Sequence, residues 1–188
     1  MKKVCFLDRD GVLIEDRHYL SDPNDVKLID GAAEAVKMLR EAGYTIIVVT
    51  NQSGVARGYY SESSISTIHK KIDELLKTKD AYIDKYYYCP HHSDGEVAEF
   101  SFDCSCRKPK TGMIEQALQD YEIDLSKSIV IGDKLSDIKL SENAGCRLGI
   151  LVKTGHGKKQ AEKNTDDSLI VRENILDAAK WFLEHTKK

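Results

Sequence analysis

Tyr44 to Thr50 reads Tyr-Thr-Ile-Ile-Val-Val-Thr, an unbroken run of aromatic and β-branched residues. A strand with one face in water alternates apolar and polar side chains. This one does not, so both its faces must be covered, as in parallel sheets flanked by helices. Val4-Cys5-Phe6-Leu7, Ser128-Ile129-Val130-Ile131 and Leu148 to Val152 are shorter runs of the same kind, and Ile83 to Tyr88 and Leu169-Ile170-Val171 are further strand candidates. Helical stripes lie between them. Ala35, Val36, Met38, Leu39 and Ala42 form one, stopped by Gly43; Ile65, Ile68, Ile72, Leu75 and Leu76 follow a candidate N-cap at Ser61. Met113, Ile114, Ala117, Leu118 and Tyr121 follow Thr111, a helix passes through Ile138 and Ala144, and Ile175, Ala178, Ala179, Phe182 and Leu183 close the chain. Strands alternating with helices of this length imply parallel crossovers. The expected fold is α/β: a three-layer sandwich with a central parallel sheet, Rossmann-like. Residues 155–167, polar and charged, are expected to form an irregular connection.

The 188 residues show no internal repeat or low-complexity tract, so residues 1–188 are expected to be a single domain. Charged residues make up 31% and the net charge is −3, which argues against broad attraction to nucleic acid or to a membrane. Met1-Lys2-Lys3 leads straight into a core strand without a signal-like segment, so a cytoplasmic protein is expected. The cysteines agree. Their number, five, is odd, and Cys89, Cys104 and Cys106 crowd together, which suggests a metal more than disulfides.

Chemistry collects at the strand ends, where open α/β sheets place ligands. The first strand ends in Asp8-Arg9-Asp10-Gly11, two carboxylates and a residue that permits a sharp turn. The second ends in Thr50-Asn51-Gln52-Ser53-Gly54, and the fourth in Gly132-Asp133-Lys134 with Asp137 close behind. A basic segment, Arg107-Lys108-Pro109-Lys110, precedes the helix after Thr111. Each is an ordinary turn or solvated face when taken singly; together they converge on one edge of the sheet.

As a set, Asp8-x-Asp10-Gly11, Thr50, Lys108 and Gly132-Asp133-x3-Asp137 resemble the four motifs of the haloacid dehalogenase-like phosphatases, over about residues 4–152. The fuller segments, including Cys106-Arg107-Lys108-Pro109, resemble the branch containing heptose bisphosphate and histidinol-phosphate phosphatases. The short stretch from Asp10 to Thr50 leaves no room for a large cap domain. A phosphomonoesterase needs a nucleophile, a proton donor and strong charge neutralisation. Asp8 is expected to attack phosphorus and form an aspartyl-phosphate, while Asp10 protonates the leaving oxygen and then activates water. Catalytic Mg²⁺ is expected on the Asp8 carboxylate, the Asp10 carbonyl and Asp133, oxygen donors that suit a hard cation. Thr50 and Lys108 would bind the transferring phosphoryl group, and Asp137 would orient Lys108 or the metal shell.

Cys89, His91, Cys104 and Cys106 make a closed tetrahedral donor set, so structural Zn²⁺ is expected in a loop over residues 89–106 that has no core of its own. The resemblance favours His91 over His92. By resemblance, Asp16, Arg17, His18 and Tyr19 occupy a substrate-contacting segment, although His18 stands where the branch often has Gly and Ile14 where it often has Asn. Asn51, Gln52, Ser53 and Lys134 are further candidate substrate contacts, with Arg107 reading a second charged part of the substrate. The implied reaction is removal of the C7 phosphate from a glycero-manno-heptose 1,7-bisphosphate. Histidinol phosphate is the alternative substrate, and a non-catalytic phosphate-binding module is the alternative class. The expected partner is a small phosphorylated sugar, taken up by a monomer. Cys5 and Cys146 are expected to pack in the interior, and His69, His156 and His185 to lie on the surface.

Overall fold

The structure, a computed structural model, describes residues 1–185. Its strands are β1 (Val4–Leu7), β2 (Thr45–Asn51), β3 (Lys85–Cys89), β4 (Ile129–Gly132), β5 (Leu148–Val152) and β6 (Ile170–Arg172). All pair in parallel in one sheet of order β3-β2-β1-β4-β5-β6. The helices are α1 (Ala32–Glu41), α2 (Glu62–Lys77), α3 (Gly112–Asp120), α4 (Leu135–Ala144), α5 (Gly157–Lys163) and α6 (Ile175–His185).

Apolar runs without alternation arise because successive residues feed two different cores. Cys5, Leu7, Ile46, Val48, Ile129 and Ile131 pack with Leu39, Ile72 and Phe182 of α1, α2 and α6. Val4, Phe6, Ile47, Val49 and Val130 pack on the opposite face with Met113, Ile114 and Leu140 of α3 and α4. These are the three layers the sequence implies. From β1 the chain steps to β2 and β3, then returns to place β4 on the other side of β1. That reversal opens a crevice at the carboxyl ends of β1 and β4. Between β1 and α1 the chain forms only a small flap, pinned by bridges from Ile14 to Asp10 and Leu28 and by a 3-10 turn at Pro23–Asp25.

Several local expectations need correction. α5 lies within the segment expected to be irregular; Ala161 is its lone aliphatic side chain, so no apolar stripe marks it. β3 starts two residues later than expected and runs to Cys89; just before it, Asp84 donates its amide to the Ile46 carbonyl while its carboxylate accepts from Arg40 and the Ile46 amide. Ser61 and Thr111 do precede helices, but neither hydroxyl caps a backbone amide: Ser61 pairs with Ser63, and Thr111 donates to Glu115. His69 is buried, stacked on Tyr86 with ring centroids 4.1 Å apart, because it sits on the inner stripe of α2. His156 faces the cavity described below.

Candidate active site

Asp8 leaves the end of β1 with its carboxylate 94% removed from solvent, and Lys108 reaches it from the loop before α3 (Nζ to Oδ1, 2.7 Å). The same ammonium lies 2.6 Å from Asp137 Oδ1 and donates to the Val49 carbonyl at 2.8 Å. Burial alone would raise the Asp8 carboxyl; the charges of Lys108 and Lys134, with hydrogen bonds from Lys108 and the Arg9 backbone, outweigh it and hold the group below the ordinary carboxylate range. Burial would likewise lower the Lys108 ammonium, but Asp137 and Asp8 raise it. The lysine is therefore a fixed charge.

Local structure explains the spacing of these motifs. Asp137 opens α4 in a capping box, accepting from the Lys134 amide at 3.0 Å, and its side chain lies against Gly132 so closely that a Cβ there would be 2.1 Å from Asp137 Cβ. Asn51 clips the Lys108 backbone from both sides, accepting from its amide (3.0 Å) and donating to its carbonyl (3.3 Å).

Asp133, at the end of β4, is wholly buried. Its Oδ2 accepts from the His156 amide at 2.8 Å, but its Oδ1 has no hydrogen-bond partner among the described residues. Burial and the neighbouring Asp8 charge push its carboxyl up. Carboxylate oxygens of Asp8, Asp133 and Asp137 fall within 4.8 Å of one another. Lys134 Nζ stands 3.8 Å from Asp133 Oδ1, beyond hydrogen-bond reach. A buried carboxylate oxygen without a hydrogen bond, facing a second carboxylate, is a site in want of a further cation, and the all-oxygen donors fit Mg²⁺. Gly11 and Gly155 wall this niche: a Cβ on either would come within 2.4 Å or less of Asp133 Oδ2.

Asp10 is held by a second set of side chains. It is bound by Arg9 through both oxygens (3.0 and 3.1 Å) and by Gln52 Nε2 (2.8 Å). Gln52 also donates to Thr50 Oγ1 at 2.8 Å and accepts from the Tyr60 hydroxyl at 2.7 Å. A Cβ on Gly54 would be 2.3 Å from the Tyr60 ring, which is why glycine ends that motif. Outside this network opens a cavity of about 300 Å³ lined by Arg9, Asp10, Asp16, His18, Tyr19, Leu20, Asn51, Gln52, Ser53, Tyr60, Lys134 and His156. Asp16 pairs with His156 Nε2 at 2.8 Å. Thr50, Asp8 and Lys108 are buried and do not line the cavity. Arg17 instead binds Glu15 at 3.0 Å, and Arg107 binds the His91 carbonyl at 3.3 Å; neither lines the cavity. Sequence reasoning missed Arg9, Tyr60 and His156. Only Arg9, set between two motif aspartates, carried a signal.

Beside this site, the side chains of Cys89, His91, Cys104 and Cys106 converge. Sγ–Sγ distances are 3.4 Å (Cys89–Cys104) and 3.2 Å (Cys104–Cys106), and His91 Nδ1 lies 3.3 Å from Cys106 Sγ and 3.8 Å from Cys89 Sγ. These are too long for disulfides and close to the edges of a zinc tetrahedron with bonds of about 2.0–2.3 Å. His92 turns elsewhere, accepting from the Asp94 amide and meeting Arg57. The set can hold one zinc ion.

A haloacid dehalogenase-like hydrolase family model matches residues 5–83, and a HAD-hydrolase-like model matches residues 105–178. D-glycero-beta-D-manno-heptose-1,7-bisphosphate 7-phosphatase of Haemophilus influenzae is 44% identical over 82% of this chain and 84% of its own length. The chain belongs to the haloacid dehalogenase-like hydrolases, in the heptose bisphosphate phosphatase branch. It is a phosphoric monoester hydrolase. The D-glycero-alpha-D-manno enzyme of Photorhabdus laumondii is 43% identical over 95% of both chains. Among solved structures, the D,D-heptose 1,7-bisphosphate phosphatase of B. bronchiseptica, complexed with magnesium and phosphate, superposes with a TM-score of 0.85 at 31% identity, covering 99% of this chain and all of that one. No helix among the described residues is long and apolar enough to cross a membrane.

Proposed function

We propose that this phosphatase removes the C7 phosphate of D-glycero-D-manno-heptose 1,7-bisphosphate through an aspartyl-phosphate on Asp8. The observation that carries the chemistry is the buried Asp8–Lys108–Asp137 chain beside the orphaned oxygen of Asp133. The substrate follows from the relatives' names.

In the first step the Asp8 carboxylate bonds to phosphorus as the bond from phosphorus to the C7 oxygen breaks, and Asp10 gives its proton to the departing oxygen. In the second, water attacks the same phosphorus, its proton passes to Asp10, and phosphate leaves with Asp8 restored. Lys108 and the Thr50 hydroxyl hold the phosphoryl oxygens. Gln52 already donates to Thr50 Oγ1, so the hydroxyl proton is free to point at phosphate. Mg²⁺ on Asp8, Asp133 and the Asp10 carbonyl would neutralise charge between carboxylate and phosphate.

Zn²⁺ on Cys89, His91, Cys104 and Cys106 would fix residues 89–106 and, through the His91 carbonyl, Arg107. Asp16, His18, Tyr19, Asn51, Ser53 and Lys134 are the proposed contacts to the sugar, with Arg17 and Arg107 reaching it only by turning from their present partners. Residues 1–188 would act as one domain. Every group named comes from one chain, so a monomer suffices, and a thiol-held zinc suits the cytoplasm.

The test is phosphate release measured side by side on both heptose bisphosphate anomers and on histidinol phosphate. We expect the larger kcat/KM on a heptose bisphosphate; a larger value on histidinol phosphate overturns the sugar assignment. Asp8→Asn should abolish turnover, and wild-type rates in that variant would sink the mechanism.

A further inference from the structure

Arg9 is 1% exposed, and the hydrogen bonds its guanidinium makes go to Asp10 and Gln52 of the site. Nε donates to Asp10 Oδ2 (3.1 Å), Nη2 to Asp10 Oδ1 (3.0 Å) and to Gln52 Oε1 (2.9 Å). Nη1 has no partner among the described residues. Because a guanidinium can only donate, the Arg9 contact fixes the Gln52 amide with Oε1 toward Arg9 and Nε2 aimed at Asp10 Oδ2 and Thr50 Oγ1; the Tyr60 hydroxyl then donates to the same Oε1. Asp10 is thereby met by three N–H donors on two oxygens. Burying a guanidinium is costly, and an apolar side chain would fill the same space without that cost. A purely structural reading leaves that cost without a purpose.

We propose that Arg9 is the positioning residue of the acid/base: with Gln52 it fixes the direction of the Asp10 carboxylate. When Asp10 gives its proton to the leaving sugar oxygen, as the phosphorus–oxygen bond breaks and Asp8 bonds to phosphorus, the carboxylate formed already has its donors in place. This rests on the Asp8/Asp10 reading above.

The discriminating readout is leaving-group dependence. An alkoxide must be protonated as it leaves, whereas para-nitrophenolate need not be, and kcat/KM reports the steps through loss of the leaving group. Arg9→Met should lower kcat/KM for the heptose bisphosphate by about 10–100-fold, while the value for para-nitrophenyl phosphate changes by less than about threefold. Arg9→Lys keeps the buried charge, and with it the fold, but cannot span both Asp10 oxygens; the same selective loss is expected. Asp10→Asn should show that signature too, and Arg9→Met added to it should cost nothing more. Equal losses on both substrates in the folded Arg9→Lys variant, or a further loss in the double variant, would overturn the role of Arg9. An Asp10→Asn variant without leaving-group selectivity would instead overturn the acid/base reading beneath it.

Discussion

Gly11 has φ +84°, and a Cβ there would sit 2.4 Å from Asp133 Oδ2. Gly11→Ala should cost about 1–2 kcal/mol from backbone strain alone, and it should also push Asp133 out of place, so that Mg²⁺ titration of activity shifts to higher metal concentration. Lys108→Met leaves Asp8 and Asp137 buried without their cation. A loss of about 3–5 kcal/mol in urea unfolding is expected, with activity abolished. The Asp133 carboxyl is raised, so before metal binds it holds a proton to higher pH than an ordinary carboxyl. Metal binding must expel that proton. Mg²⁺ affinity should therefore rise with pH across neutrality, by at most about tenfold per pH unit for one proton, as calorimetry at stepped pH would show. Asp8, Lys108 and Asp133 were legible because each stands at a fixed offset from a strand end or helix start. The Arg9–Gln52–Tyr60 network was not, because Asp10 and Gln52 are 42 residues apart and no local pattern joins them. His18 and Tyr19 carry positive φ (37° and 56°), a backbone region that favours glycine over the residues present.

At the scale of elements, the buried strands announced themselves through runs of β-branched residues, and four of the six helices through apolar stripes. α5 had no stripe to show: its place is set by Gly157, where a Cβ would be 1.6 Å from the Val152 carbonyl oxygen, and by Gln160 accepting from the Leu135 amide. His69 joins α2 to β3. Burial, helped by Arg9, pushes its imidazole down to about 3, and Nε2 has no partner among the described residues. The unfolded chain thus takes up a proton near pH 6.5 while the folded one does not until about pH 3. Stability is present above pH 6.5 and drains as pH falls through that window, by at most about 1.4 kcal/mol per pH unit. His69→Phe should flatten this part of the profile in melts at stepped pH; an unchanged slope would count against a buried neutral imidazole. Zinc belongs at this scale as well. Chelation should leave the sheet's circular dichroism signal intact while residues 89–106 become sensitive to protease, and fully resistant, zinc-free protein would reject the four-ligand site.

Across the whole molecule, the order β3-β2-β1-β4-β5-β6 brings Asp8 and Asp133 side by side, and the end of β2 and the loop before α3 add Thr50 and Lys108 from one flank. The flap of residues 10–31 and the turn before α5 close the other flank, through Asp16 and His156. Parallel topology was readable from alternation alone. How closely the flap approaches that turn was not, since it depends on contacts between segments some 140 residues apart, such as Thr154 Oγ1 donating to the Gly11 carbonyl at 2.6 Å. The central claim is that phosphate passes through Asp8. Enzyme mixed with heptose bisphosphate radiolabelled in its C7 phosphate, acid-quenched within one turnover and digested, should carry label on the peptide containing Asp8, and Asp8→Asn should carry none. Label on another residue, or unlabelled protein while phosphate is released at full rate, would contradict it.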